Sequence, residues 1–188
     1  MEASTQWEHI YGGRVTGRRD EAFTEFVRAH GPSLLRTARL LTGDPVRGED
    51  LAQTALARAY AQWSKVERAD APVAYVRRLL VNSHLSWRRL LSSTEQIIES
   101  VPDRSDGFDL QATHAAADEM RAALARLTPR VRTAVVLRYF DDLTEVETAR
   151  LMDCSTSTVN KHVGSGLATL RMLLARDSDP ASASRRQP

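Results

Sequence analysis

Thr144 to Arg171 reads TEVETARLMDCSTSTVNKHVGSGLATLR, and the fold of the whole chain turns on it. Thr144 and Glu147 have the spacing of a capping box, in which the Thr hydroxyl takes a backbone N–H three residues on and the Glu reaches back. Val146, Ala149 and Met152, with Leu151 beside them, fall on one face of a short helix. Asp153-Cys154-Ser155 breaks the pattern; Asp tolerates a left-handed backbone and can close a tight turn. Ser155 or Thr156 can cap a second helix, along which Val159, Val163, Leu167, Leu170 and Leu174 continue at helical spacing. Two helices, a short turn and the small Ala149 at their crossing make a helix-turn-helix. Its second helix would turn Thr156, Ser157, Asn160, Lys161 and His162 outward, toward phosphates or base edges. Most capped helix pairs bind no nucleic acid, so the rest of the chain has to decide.

The 188 residues allow one or two domains. With 42% hydrophobic and 27% charged residues the composition is that of a soluble globular protein. A net charge of only +2 does not by itself mark a nucleic-acid binder; what matters is whether the arginines cluster. No apolar run is long enough to span a membrane and no signal peptide is evident, so the expected location is cytoplasmic, with no membrane partner. The single cysteine, Cys154, rules out an internal disulfide and a multi-cysteine zinc site and suits a small apolar residue at the turn.

Residues 1–19 read as a disordered basic arm containing Arg14, Arg18 and Arg19. Asp20 to Leu41 is strongly helical, and Gly31-Pro32 predicts a break or kink within it. After Thr42-Gly43, Asp44-Pro45 opens a second helix with Asp as cap and Pro in the first turn. That helix runs through Val46, Leu51, Ala55, Leu56, Ala59, Tyr60 and Trp63, and its other face carries Glu49, Asp50, Gln53, Thr54 and Arg58. Ser64 to Pro72 reads as a polar connection whose Asp70 can cap the next helix, from near Pro72 to about Leu91. There Val73, Val76, Leu79, Leu80, Leu85 and Leu90 are apolar, and Arg77, Arg78, Arg88 and Arg89 are interleaved with Tyr75, Asn82, His84, Ser86 and Trp87. Cations beside flat side chains suit single-stranded nucleic acid; Tyr75 and Trp87 would equally suit a core.

The stretch 92–114 is rich in Ser, Asp and Glu, lacks a sustained period, and reads as an extended acidic linker separating two helical bodies. Ala115 to Leu127 predicts a helix, Thr128-Pro129 caps the next one to Phe140, and Asp141-Asp142 turns into the helix-turn-helix. The tail 177–188 is disordered by composition. The expected fold is all-α: two small helical domains, 20–91 and 115–176, joined by a tether. No glycine-rich phosphate loop, no HExxH and no metal-ligand spacing is present, and Cys154 and His162 share no evident third partner. No catalytic residue, metal or cofactor is therefore expected.

Three ordered segments together resemble a known family. GDPVRGEDLAQTALARAYAQW, PVAYVRRLLVNSHLSWRRL and LTPRVRTAVVLRYFDDLTEVETARLMDCSTSTVNKHVGSGLATLR are similar to successive parts of bacterial sigma factors of the extracytoplasmic-function type, most of all the actinobacterial SigE-like branch. The resemblance implies a non-catalytic factor that lends promoter specificity to core RNA polymerase. It implies that Glu49, Asp50, Gln53 and Thr54 dock on the clamp of the largest catalytic subunit. It implies that Lys65, Arg68, Tyr75, Arg78, Asn82, Ser86, Trp87, Arg88 and Arg89 serve opening of the minus-ten element, with Asn82 lining a pocket for a flipped base. Capture of such a base costs a few kcal/mol of unstacking, recovered by hydrogen bonds and stacking. Thr156, Ser157, Thr158, Asn160, Lys161, His162 and Ser165 would read the minus-thirty-five element. The linker would thread toward the RNA-exit channel, and an anti-sigma protein is an expected regulator.

The sequence also departs from the family pattern. Relatives usually carry Arg or Lys near Asn160, His162 and Ser165, whereas here the firm cation near those positions is Lys161. Gly164 and Gly166 should each loosen the helix by roughly 1 kcal/mol relative to Ala. Both features predict weak or unusual minus-thirty-five binding. Two rival readings remain at this level: a helix-turn-helix regulator that works without polymerase, and a degenerate sigma-like interaction protein.

Overall fold

The computed structural model of the chain describes residues 17–94 and 113–177, with the side chains of 87–94, 113–118 and 176–177 excepted. The basic arm up to residue 16, the linker between 95 and 112 and the tail from 178 lie outside the described residues, as do the side chains of Trp87, Arg88 and Arg89. Eight helices make up the described secondary structure: α1 Arg18–Thr42, α2 Pro45–Ala61, α3 Trp63–Glu67, α4 Pro72–Thr94, α5 Thr113–Ala125, α6 Pro129–Tyr139, α7 Glu145–Met152 and α8 Thr156–Asp177. The all-α expectation holds.

α1 is one helix, not two. It passes through Pro32 without a break, although an internal proline removes a hydrogen bond and costs about 3 kcal/mol. Buried anchors on both sides offset that cost, with Phe23, Phe26 and Val27 before the proline and Leu34, Ala38 and Leu41 after it. α1 also begins at Arg18, so Arg18 and Arg19 belong to the helix and not to the arm. The Arg19 guanidinium stacks over the Tyr60 ring, 4.9 Å from its centre, and the Tyr60 hydroxyl donates to Asp20 at 2.6 Å. The end of α2 is thereby fastened to the start of α1.

The next boundaries obey the local chemistry. Gly43 adopts φ 74°, a left-handed backbone that glycine takes without steric cost, and its N–H caps Arg39. The Asp44 carboxylate accepts the Arg47 N–H at 2.8 Å, with Pro45 in the first turn of α2. α1 and α2 approach closely at Gly48, where a Cβ would stand 2.7 Å from Arg39 Cα. Val46, read as apolar core, is instead 68% exposed.

The segment read as a polar connection contains a short helix, α3, because Trp63 and Val66 are buried and pin it. The first α4 bond runs from Tyr75 N–H to Ala71 carbonyl, so Ala71 and not Asp70 marks the entry. Thr128 occupies the N-cap of α6 without a side-chain cap bond.

The two helical units on either side of the linker are in contact. α1 touches α5 and α6, and α4 touches α6 and α7. Arg132 on α6 is 2% exposed and donates to the carbonyls of Leu41 (3.0 Å), Leu127 (3.1 Å) and Ala125. One guanidinium thus satisfies end-of-helix carbonyls of α1 and α5, groups that have no partner inside their own helices. The Asp141 carboxylate accepts from the Thr37 hydroxyl and pairs with Arg77 at 3.3 Å, joining α1, α4 and the turn after α6.

Candidate nucleic-acid interface

Three surfaces carry the residues singled out from the sequence. On the outer face of α2, Asp50, Gln53 and Thr54 are exposed, spaced to lie together on one side. Glu49 is half-buried, and its carboxylate is held by Arg39 at 2.6 Å. It therefore braces α2 against α1, while Asp50, Gln53 and Thr54 face outward beside the exposed Val46.

α4 buries Val76, Leu80, Val81, Ser83, His84 and Leu85. His84 does not lie among the basic and aromatic side chains of the outer face, as the spacing suggests, but is 1% exposed within the unit. Arg78, Asn82 and Ser86 are exposed, and their spacing of four residues aligns them as one stripe along the helix. Tyr75 continues the stripe toward the N-terminus. Its hydroxyl donates to Gln62 at 3.0 Å and the Lys65 ammonium lies 5.7 Å from the centre of its ring. Arg68 donates from Nε to the Ser64 carbonyl at 2.7 Å, closing the end of α3. Lys65, Tyr75, Arg78, Asn82 and Ser86 thus form one polar, cationic and aromatic surface. Arg77, one residue from Arg78, turns the other way toward Asp141.

The helix-turn-helix has the capping box its sequence predicts. The Thr144 hydroxyl accepts the Glu147 N–H at 3.2 Å and the Glu147 carboxylate accepts the Thr144 N–H at 2.7 Å. The Thr144 hydroxyl also donates to the Glu147 carboxylate at 2.6 Å, and that bond first, with the Thr144 N–H second, holds the Glu147 carboxyl below its usual range. Asp153 closes α7 in the left-handed conformation (φ 53°, ψ 57°). Ser155 then accepts the Thr158 N–H at 3.2 Å, and its hydroxyl bonds those of Ser157 and Thr158 at 2.9 and 2.8 Å. The buried face of α7 is Thr148, Ala149, Leu151 and Met152; Val146, assigned to it from the spacing, is 50% exposed.

On α8, Thr156, Ser157, Asn160, Lys161 and Ser165 are exposed, and Thr158 and His162 are half-buried. Burial, together with the charges of Arg130 and Lys161, lowers the His162 pKa, so the imidazole is neutral near pH 7 and donates from one nitrogen only. Burial raises the Cys154 thiol, and the nearby Arg130 opposes that rise. Arg130, at the start of α6, is therefore a second cation beside the turn and α8. Sequence reading missed it because it lies 31 residues before Lys161 and outside the motif. Gly166 does not loosen α8. A Cβ there would stand 2.5 Å from Val135 Cγ2 and 3.0 Å from Val131 Cγ1, so its absence lets α8 pack on α6. Gly164 meets nothing within 4 Å.

The comparisons with known proteins agree with this layout. Residues 26–93 match the sigma-70 region 2 family and residues 117–170 match sigma-70 region 4. The chain is 37% identical over 166 residues to the RNA polymerase sigma-E factor of Streptomyces coelicolor, covering 88% of this chain and 93% of the relative. The chain belongs to the extracytoplasmic-function sigma factors. It is also 36% identical over 166 residues to the sigma-E factor of Streptomyces avermitilis, covering 88% of this chain and 92% of that relative. In fold it is similar to the sigma factor RpoE of Bartonella quintana, solved with the anti-sigma factor NepR: TM-score 0.63, 24% identity, 82% of this chain and 98% of that one. A second similar fold is CnrH in complex with the cytosolic domain of CnrY, with TM-score 0.61 and 20% identity, covering 90% of this chain and 95% of that one. As a sigma factor the chain directs transcription initiation by core RNA polymerase at promoter DNA, and factors of this family are in general non-catalytic regulators. Among the described residues no helix is long and apolar enough to cross a membrane.

Proposed function

We propose that the two units divide the work of initiation. Residues 20–91 dock on polymerase and open the minus-ten element, residues 92–114 form the tether, and residues 115–176 find the minus-thirty-five element. Asp50, Gln53 and Thr54 form the polymerase contact, with Glu49 as its brace. Lys65, Arg68, Tyr75, Arg78, Asn82 and Ser86, extended by Trp87, Arg88 and Arg89, track the opened strand, and Asn82 hydrogen-bonds an extruded base. Thr156, Ser157, Thr158, Asn160, Lys161, His162 and Ser165 enter the major groove. The chain itself performs no catalysis and acts in the cytoplasm, where an anti-sigma protein holds it in reserve.

The observation that carries this reading is the single stripe of Tyr75, Arg78, Asn82 and Ser86 on α4. An exposed amide on one stripe with a guanidinium and an aromatic ring supplies the hydrogen bonds and the stacking that an unpaired base needs. The experiment is run-off transcription with core polymerase on matched duplex and pre-melted templates. Asn82→Ala should depress transcription from the duplex and much less from a template already open at the minus-ten element. Equal depression on both templates would refute the melting role.

The contact between the units bears on this reading. The two elements stand about 25 base pairs apart, which at about 3.4 Å per pair is about 85 Å. Units touching through α4 and α7 cannot cover both. On this reading they part when the promoter is bound, and the tether spans the gap.

A further inference from the structure

Arg58 is exposed on α2, one turn beyond Thr54, but its guanidinium leans across to α4. There its Nη1 donates to the Ser83 hydroxyl at 2.8 Å. Ser83 is buried, and its own hydroxyl proton goes to the Leu79 carbonyl at 2.7 Å. A hydroxyl has one proton to give, so toward Arg58 the Ser83 oxygen acts as acceptor. The bond fixes where a long side chain with many rotamers carries its charge.

A guanidinium carries five N–H donors in a planar fork, and this bond takes one of those on Nη1. The edge formed by Nε and Nη2 stays open, and such an edge fits two oxygens of one phosphate. Among the described residues no carboxylate forms an ion pair with Arg58, so its charge is not neutralised within the fold. Ser83 follows Asn82 directly, and the exposed Ser86 lies three residues on, on the adjoining side of α4. The anchored charge therefore borders the stripe of Arg78, Asn82 and Ser86 from the α2 side. A strand whose base turns toward Asn82 carries a phosphate on each side of that nucleotide. Phosphate contacts set the register of a strand, and base contacts read it.

We propose that Arg58 is a further DNA-binding residue: anchored by Ser83, it grips a phosphate of the opened strand beside the nucleotide that Asn82 takes, and so sets the register in which the base is presented. The proposal rests on the reading of α4 as the melting surface. It assigns Arg58 to DNA and not to polymerase, although the residue shares α2 with Asp50, and it makes Ser83 a positioning residue.

The test uses the full chain with core RNA polymerase and a fluorescent template, either pre-melted at the minus-ten element or fully duplex, with affinity measured at several salt concentrations. Arg58→Ala should weaken binding to the pre-melted template by about tenfold and reduce the slope of log affinity against log salt by about 0.7, the share of one single-strand phosphate. Arg58→Lys should keep the slope and recover part of the affinity, because the charge returns without the fork. Ser83→Ala should keep the slope and lose about threefold in affinity, because the charge remains but must be ordered on binding. A merely structural role for Arg58 would lower the unfolding temperature and leave the slope unchanged, which would overturn the proposal. Loss of copurification of Arg58→Ala with core polymerase would place the residue in the docking face and overturn it as well. If the wild type binds the pre-melted template no more tightly than the duplex, the melting role of α4 fails and the proposal with it. If the wild type keeps that preference and Arg58→Ala matches it at every salt concentration, the proposal alone fails.

Discussion

The Asp141 carboxylate, on the turn after α6, accepts a hydrogen bond from the Thr37 hydroxyl of α1 at 2.8 Å across 104 residues of sequence. Its side chain is 2% exposed, and it also pairs with Arg77 on α4. Asp141→Ala removes the acceptor and leaves a shielded guanidinium and hydroxyl without it. The expected cost is about 1–3 kcal/mol of stability, read by urea or thermal unfolding. Asp141→Asn keeps an acceptor for Thr37 and should cost less. If the units part on the promoter, Asp141→Ala should leave run-off transcription intact at temperatures where the chain is folded.

Acid should affect the two carboxylates of this region in opposite ways. Burial raises the Asp141 pKa above its ordinary value of 3.8, with Thr37, Arg77 and Arg36 opposing the shift and Asp142 adding to it. The folded state therefore binds this proton more readily than the unfolded state. The associated stability is present below 3.8 and is lost as pH rises through the raised value. Glu147 has a lowered pKa, so its contribution is present above its ordinary 4.5 and is lost as pH falls through the lowered value. Unfolding temperatures of wild type, Asp141→Asn and Glu147→Gln measured through the acid range should separate the two. Asp141→Asn should retain the loss at low pH and lack the decline above 3.8.

The two glycines of α8 predict opposite outcomes for the same substitution. Gly166→Ala drives a methyl against Val135 and Val131, whose branched side chains have little room to turn, and should destabilise by about 1–3 kcal/mol. Gly164→Ala meets open space and should stabilise by up to about 1 kcal/mol. Thermal melts of the two variants decide it.

Arg130 should contribute a phosphate contact from outside the recognition helix. Arg130→Ala should weaken promoter binding about evenly across sequences and reduce the slope of log affinity against log salt by about 1. Fluorescence anisotropy of the polymerase complex at several salt concentrations measures this. A change in base preference without a change in slope would contradict it.

What the sequence disclosed was mostly local. The Thr144–Glu147 box, the Asp44 cap with Pro45 behind it, the Gly43 end of α1 and the left-handed Asp153 each depend on a few neighbouring residues, and all four are present. What escaped was settled by distant packing. Pro32 could not be placed inside a helix without knowing that Phe26 and Leu34 are buried on either side of it. Gly166 looks like a weakness until Val135 is seen against it. Arg132, Asp141 and Arg130 gained their neighbours only when helices distant in the chain came together, and the Glu145–Asn160 bond formed only where two consecutive helices cross. The outward placing of Asp50, Gln53 and Thr54 on α2 and of Arg78, Asn82 and Ser86 on α4 was legible because spacing on a helix sets its exposed face; His84 and Val146 show where spacing alone chose the wrong side.

The central claim is that the outer face of α2 holds core polymerase. It is tested most directly by copurification of the full chain with core RNA polymerase, comparing wild type with Asp50→Arg. Asp50 is exposed, so charge reversal should leave the fold and the unfolding temperature nearly unchanged while the complex is lost. Undiminished copurification of a folded Asp50→Arg chain would contradict the account.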